Sequence, residues 1–329
     1  MNSKNSLKIL NIFFVAGLIL AAVFPVGVFA TEVPMLTFSS VINESNYKAV
    51  LFTGQAEANS TLYLSFNTGT TTVLTATSTV DGAGNINTSV DMSNVPDSSQ
   101  IVGSAYIIDS LGGYSSTTNF IIIKETTVPI VKEIVPVTPS ITSTNTPAYS
   151  FSTTEAGNIS FVGGVNCVNL SFSSMLAPVG TTTTNFNVIT DGSYACVLAI
   201  TDSFGNRGNA TMTPFIIDTV VSAPIVSFTN PINSINQTAV SFTGTAEASS
   251  TLYYTFYNTL ASTTQITGTT TIGTNGLINL SLNLSSLADG NIYGGFYIID
   301  QAGNISSLTQ SIIIKETTVP IVKEIVPVT

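Results

Sequence analysis

Eighteen residues, IIIKETTVPIVKEIVPVT, run from Ile121 to Thr138 and return unchanged from Ile312 to Thr329. The offset is 312 − 121 = 191 residues, and looser matches upstream keep it to within one residue. FTGQAEANSTLY at Phe52 is answered by FTGTAEASSTLY at Phe242, YIIDSLGGYSS at Tyr106 by YIIDQAGNISS at Tyr297, and VPMLTF at Val33 by APIVSF at Ala223. A period this long describes a string of domains, each with its own core, and not a solenoid of short units. The two copies are labelled A1 (31–125) and A2 (219–315), and the segment between them is B (126–218). The remaining stretch, 316–329, reads as a linker and the first strand of a further domain, so the chain is expected to belong to a longer array.

Each unit reads as β throughout. In A1 the apolar and β-branched runs are Met35–Val41, Ala49–Glu57, Thr61–Thr68, Thr72–Asp81, Asn85–Met92, Gln100–Asp109 and Ser116–Lys124. Thr61-Leu62-Tyr63-Leu64-Ser65-Phe66 alternates, which sends every second side chain to a core. Turn signals such as Asp81-Gly82-Ala83-Gly84-Asn85 and Leu111-Gly112-Gly113 fall between the runs. Short strands in under a hundred residues, with a turn every 8–12, predict a two-sheet antiparallel sandwich. B gives the same count. No later stretch has the 3.6-residue period of a packed helix.

The first thirty residues (1–30) differ. Lys4 and Lys8 precede an apolar run from Ile9 to Val28, and Val28-Phe29-Ala30 supplies small residues where a signal peptidase cuts. An export signal helix is expected, with an uncleaved membrane anchor as the alternative. Either places the remainder outside the cell, secreted or at the cell surface. There the two cysteines, Cys167 and Cys196, both assigned to β-runs of B, are expected to form one disulfide. The formal charge is −10 with a pI of about 4.2 and no basic patch, which excludes nucleic acid as a partner.

Asp191-Gly192-Ser193-Tyr194-Ala195-Cys196 carries a Tyr two residues before a Cys, the spacing of the tyrosine corner, which makes Tyr194 the corner residue. Cys167 lies closer in sequence than the usual partner cysteine, and the chain has no Trp, so the bridge is expected to join other strands than in antibody domains. With FTG-x-AEA-x-STLY early and YIID-xx-G late, the A units resemble bacterial Ig-like repeats of exported surface and adhesin-type proteins. B, with STTEAGNISFVGGVNC and DGSYACVLAITDSFGN, is similar to Ig-like modules of large exported bacterial proteins. The resemblance implies three tandem Ig-like sandwiches and supplies no functional residues.

The inventory argues against catalysis. There is no His, and no nucleophile with a base and an orienting group can be named. The Asp-x-x-Gly turns at Asp81, Asp109, Asp202 and Asp300 weigh as hairpin chemistry against calcium binding, because each offers one carboxylate where calcium wants six to eight oxygens. No cofactor and no metal are expected. A Lys–Asn cross-link at Lys124 or Lys315 is not expected either, since both fall at a domain exit. Pro129 and Pro136 make the crossing from A1 to B short and stiff. The functional expectation is a non-enzymatic extracellular stalk or adhesive array with an unknown surface ligand, protein or glycan. Membrane contact comes only through an uncleaved leader. The alternative is a non-catalytic, carbohydrate-binding region of a larger secreted enzyme, with surface Tyr63, Tyr253, Tyr254 and Tyr257 as a sugar platform.

Overall fold

The computed structural model describes residues 32–259 and 263–322. The leader, with its expected helix, and the expected strand beyond residue 322 lie outside the described residues. Everything regular inside them is β-strand, almost all of it antiparallel. No helix among the described residues is long and apolar enough to cross a membrane. Among the described residues two compact units emerge, 32–40 with 47–124, and 41–46 with 125–322.

In the first unit Met35–Phe38, Val50–Gln55 and Asn85–Val90 form one antiparallel sheet with Val50–Gln55 central. The facing sheet places Thr61–Thr68 between Thr71–Thr79 and Ser98–Ile108, with Thr118–Lys124 beyond. Leu62, Leu64 and Phe66 are buried, as the alternation demands. Phe38 and Phe52 from one sheet meet Phe66 and Phe120 from the other, with centroids 4.6–6.1 Å apart. The glycine of FTG has a steric cause. A Cβ on Gly54 would stand 1.8 Å from the Met35 carbonyl oxygen, and one on Gly244 would stand 1.9 Å from that of Ile225.

The second unit contains two separate hydrophobic clusters, one built from residues of B and one from residues of A2. B packs the sheet of Val131–Val135, Ala148–Thr153 and Gly180–Asn185 on a sheet centred on Gly192–Thr201. A short parallel pair, Ile141–Thr142 with Phe215–Ile217, closes one edge. A2 repeats the A1 plan. Ile225–Phe228, Val240–Thr245 and Leu277–Leu282 face Gln265–Thr271, Thr251–Tyr257, Gly290–Ile299 and Thr309–Lys315.

Cys167 and Cys196 are bonded, with a Cα–Cα distance of 5.6 Å. Cys196 lies on Gly192–Thr201, but Cys167 sits in the turn just past the end of Gly157–Val165 and not on a β-run. Those two strands are neighbours in one sheet, so the bridge staples adjacent strands. The sequence placed Cys167 on a strand because its flanks are apolar. Gly163, Gly164 and Asn166, all at positive φ, turn the chain away before it.

Candidate functional site

The motif AEA-x-ST builds a tight turn in each A copy. In A2 the Ser250 hydroxyl, fully buried, donates to the Glu247 carbonyl at 2.6 Å, and Ser60 does the same to Glu57 in A1. In B, Thr153 takes that part, its hydroxyl donating to the Glu155 carbonyl at 2.9 Å. The chain at Glu247 and Glu155 is thereby held, and their side chains reach the Asp-x-x-Gly-Asn turn.

That turn is self-contained. Asp202 accepts from the Phe204 and Asn206 amides at 2.7 and 2.9 Å and from the Asn206 side chain at 2.9 Å. Asp300 accepts from the Asn304 amide and side chain, both at 2.8 Å, and Gly205 and Gly303 supply the positive φ. The asparagine then reaches the linker: the Asn206 amide donates to the Glu125 carbonyl at 3.1 Å, and Asn304 to that of Asp218 at 2.7 Å. Two trios result, Glu125–Glu155–Asp202 and Asp218–Glu247–Asp300, each offering carboxylate oxygens within 4.8 Å of one another.

This corrects the one-carboxylate count made from the sequence. Asp202 and Asp300 each gain two acids from sequence-distant places, a linker and a turn. Asp81 does not belong to such a group: it accepts from Ala83 and Asn85 within its own turn. Asp109 caps Leu111 and Gly113 in the same manner. Those two sit where turn chemistry places them.

The electrostatics follow from crowding. Burial pushes the Glu247 carboxyl above its ordinary range, and the charges of Asp218 and Asp300 add to it. Glu155 is raised by burial and then by Glu125 and Asp202. Burial also acts on Asp202, but the Asn206 and Phe204 donors outweigh it and the net direction is down. Oxygen-only sets of this kind suit hard cations or shared protons. The one ion pair recorded among the described residues, Lys124 with Asp97 at 2.7 Å, lies elsewhere.

Both exit lysines are buried, 4% exposed at Lys124 and 3% at Lys315, so a domain exit does not imply a solvated side chain here. The Tyr194 hydroxyl donates to the Thr190 carbonyl at 2.7 Å. The tyrosines weighed as a sugar platform are occupied with one another. Tyr63 lies flat on Tyr106 at 5.0 Å and 4°, Tyr253 on Tyr297 at 4.8 Å and 5°, and Tyr257 on Tyr293 at 5.8 Å. Tyr254 points to the other side and packs against the A2 core.

No protein-family model and no curated protein sequence matches the chain. Among solved structures it is similar to a tetra-tandem repeat from the extending region of a large adhesion protein, at 19% identity over 88% of this chain and 75% of that one, with a TM-score of 0.36. A Ca2+-stabilised adhesin with which an Antarctic bacterium binds ice gives 19% identity over 89% and 75%, TM-score 0.36. Titin domains I67–I69 give 10% over 88% and 100%, TM-score 0.38. Likeness this weak carries no argument about what the chain does.

Proposed function

We propose that this chain is part of a non-enzymatic extracellular array, a stalk or adhesive spacer of three sandwich domains bounded as 31–125, 126–218 and 219–315. The observation that carries the reading is the crossing from B to A2. Asp191 holds the Thr219 hydroxyl at 2.9 Å, Asn304 holds the Asp218 carbonyl at 2.7 Å, and the Thr309 hydroxyl donates to the Pro224 carbonyl at 2.7 Å. A linker tied at three points has no slack, unlike the long Gly/Ser segments that let domains tumble. The composition supports the same reading, since nothing in it assembles a nucleophile with its base.

Each trio places three carboxylates together, and their countercharge is expected to come from solution. The crossing should therefore stiffen when the trios are neutralised. Small-angle scattering on the mature chain tests both points. A compact globule of about 300 residues has a radius of gyration near 19 Å, and an array should be roughly twice that. A globular value would overturn the stalk. A profile and melting curve unchanged between chelator and millimolar calcium at neutral pH would show that divalent cations do not supply the countercharge.

A further inference from the structure

We propose that the facing tyrosine pairs Tyr63–Tyr106 and Tyr253–Tyr297 are sites of oxidative cross-linking, at which a one-electron oxidant of the haem-peroxidase and peroxide class joins neighbouring strands as dityrosine. The proposal stands independently of the stalk reading.

The geometry comes first. Tyr63 and Tyr106 are directly opposed partners on antiparallel strands, as are Tyr253 and Tyr297. Their side chains leave the face of the sheet opposite the core, and directly opposed residues there have Cβ atoms only about 4.5–5.5 Å apart. The rings are within 5° of parallel at 5.0 and 4.8 Å, so the ring carbons beside each hydroxyl need only a rotation to meet. All four residues are half-buried and not sealed in the core.

Outside tyrosine few residues compete for one-electron oxidation, and the competing rings are Tyr114, 68% exposed and 6.1 Å from Tyr106, and the opposed pair Tyr257–Tyr293 at 5.8 Å. The chain has no Trp and no His to take up radicals, and no free cysteine exists among the described residues. Met35, 71% exposed, is a sink for two-electron oxidants and yields sulfoxide without competing for ring coupling. In B the corresponding opposed positions are Ser160 and Ala199, and both B tyrosines, Tyr149 and Tyr194, are buried with their hydroxyls on Glu133 and Thr190. The A copies thus carry the pair and B does not, which makes B an internal control.

The step balances. Each phenol loses one electron and one proton, giving two phenoxyl radicals. These couple through one carbon–carbon bond between positions ortho to the hydroxyls. The two hydrogens on the coupled carbons return to the oxygens and restore both phenols. Hydrogen peroxide takes up the two electrons and two protons and leaves as two waters.

The test uses the full mature chain, dilute, with a haem peroxidase and limiting hydrogen peroxide. The expected product is a monomer with dityrosine fluorescence, lighter by two hydrogens per bridge, whose fragments link Tyr63 to Tyr106 and Tyr253 to Tyr297. Tyr253→Phe keeps a ring in the stack and removes one phenol; it should lose the A2 link and keep the A1 link, which reports that the variant chain remains folded and reactive. Dityrosine found only between molecules, coupling centred on exposed Tyr114, oxidation confined to Met35, or fragments that link Tyr257 to Tyr293 in place of Tyr253 to Tyr297 would each overturn the proposal.

Discussion

A1 and A2 share their strand plan and most of their register, yet they part where the chain leaves each sandwich. The lysine at that point is the same in sequence, Lys124 or Lys315, and is buried in both. In A2 its ammonium donates to three backbone carbonyls, those of Leu284 and Ser285 at 3.1 Å and of Leu287 at 2.5 Å. In A1 it reaches a carboxylate, Asp97, at 2.7 Å, with the Tyr47 ring 5.7 Å away. The ladders differ in step. A2 pairs Gly290 with Lys315 and runs on unbroken, whereas A1 pairs Ser98 with Lys124 and then slips to Ile101 with Ile122. One extra residue in A1 makes the bulge that shifts the acid's neighbourhood. An identical residue in a duplicated frame therefore does not have an identical partner. A one-residue insertion nearby is enough to change a neutral cage into an ion pair.

The largest effect lies outside this pair. B has no lysine at its exit and is stapled instead by a bridge between residues 29 apart. Reduction should cost B about 3.5 kcal/mol in the chain-entropy model. Urea melts followed by cysteine accessibility should show B loosening while the A copies hold; no change on reduction would remove the contrast. Next comes Lys315→Met, which strands the buried carbonyls of Leu284 and Leu287 and loses a third bond at Ser285, and should cost about 3 kcal/mol. Lys124→Met should cost nearer 1 kcal/mol, because the Asp97 side chain is 35% exposed and can be rehydrated. Equal losses in chemical denaturation would mean that the two lysines are held alike.

The smallest effect belongs to the trios. Glu247→Gln removes one of three crowded charges and should raise the melting temperature slightly in chelator at pH 7. The pH dependence has a definite sign. Glu247 and Glu155 hold protons more tightly folded than unfolded, so stability should rise as pH falls from neutral through their raised values toward the ordinary carboxylate range. Asp202 works oppositely: its lowered value contributes stability that disappears on further acidification. A melting temperature that falls steadily from pH 7 downward would contradict the crowding.

The strands were legible in the sequence because period-two alternation and Gly/Asp turns are local signals. All seven runs read in A1 reappear as strands, with the first shortened to Met35–Phe38 and Val41 passing to the separate pair Val41–Ile42. The disulfide partners were legible because only two cysteines exist. The trios were not. Glu125, Glu155 and Asp202 are distant in sequence, and each alone looks like a linker, turn or cap residue. Only the asparagine after the Asp-x-x-Gly turn hinted at more, since its side chain proves to be what ties turn to linker. The tyrosine pairs needed the register, which places Tyr253 opposite Tyr297 and cannot be had from either strand by itself.

The position of the B staple has a mechanical meaning. A force that pulls B from its two ends enters at Val131–Val135 and leaves at Phe215–Ile217, both outside the bridged loop. The chain between Cys167 and Cys196 cannot lengthen while the bond lasts. About 100 Å of contour length is thus withheld from the extension that B would give on yielding, taking some 3.3–3.6 Å for each of the 29 residues. B is a short-travel element, whereas the A copies, with no disulfide, can pay out their whole length.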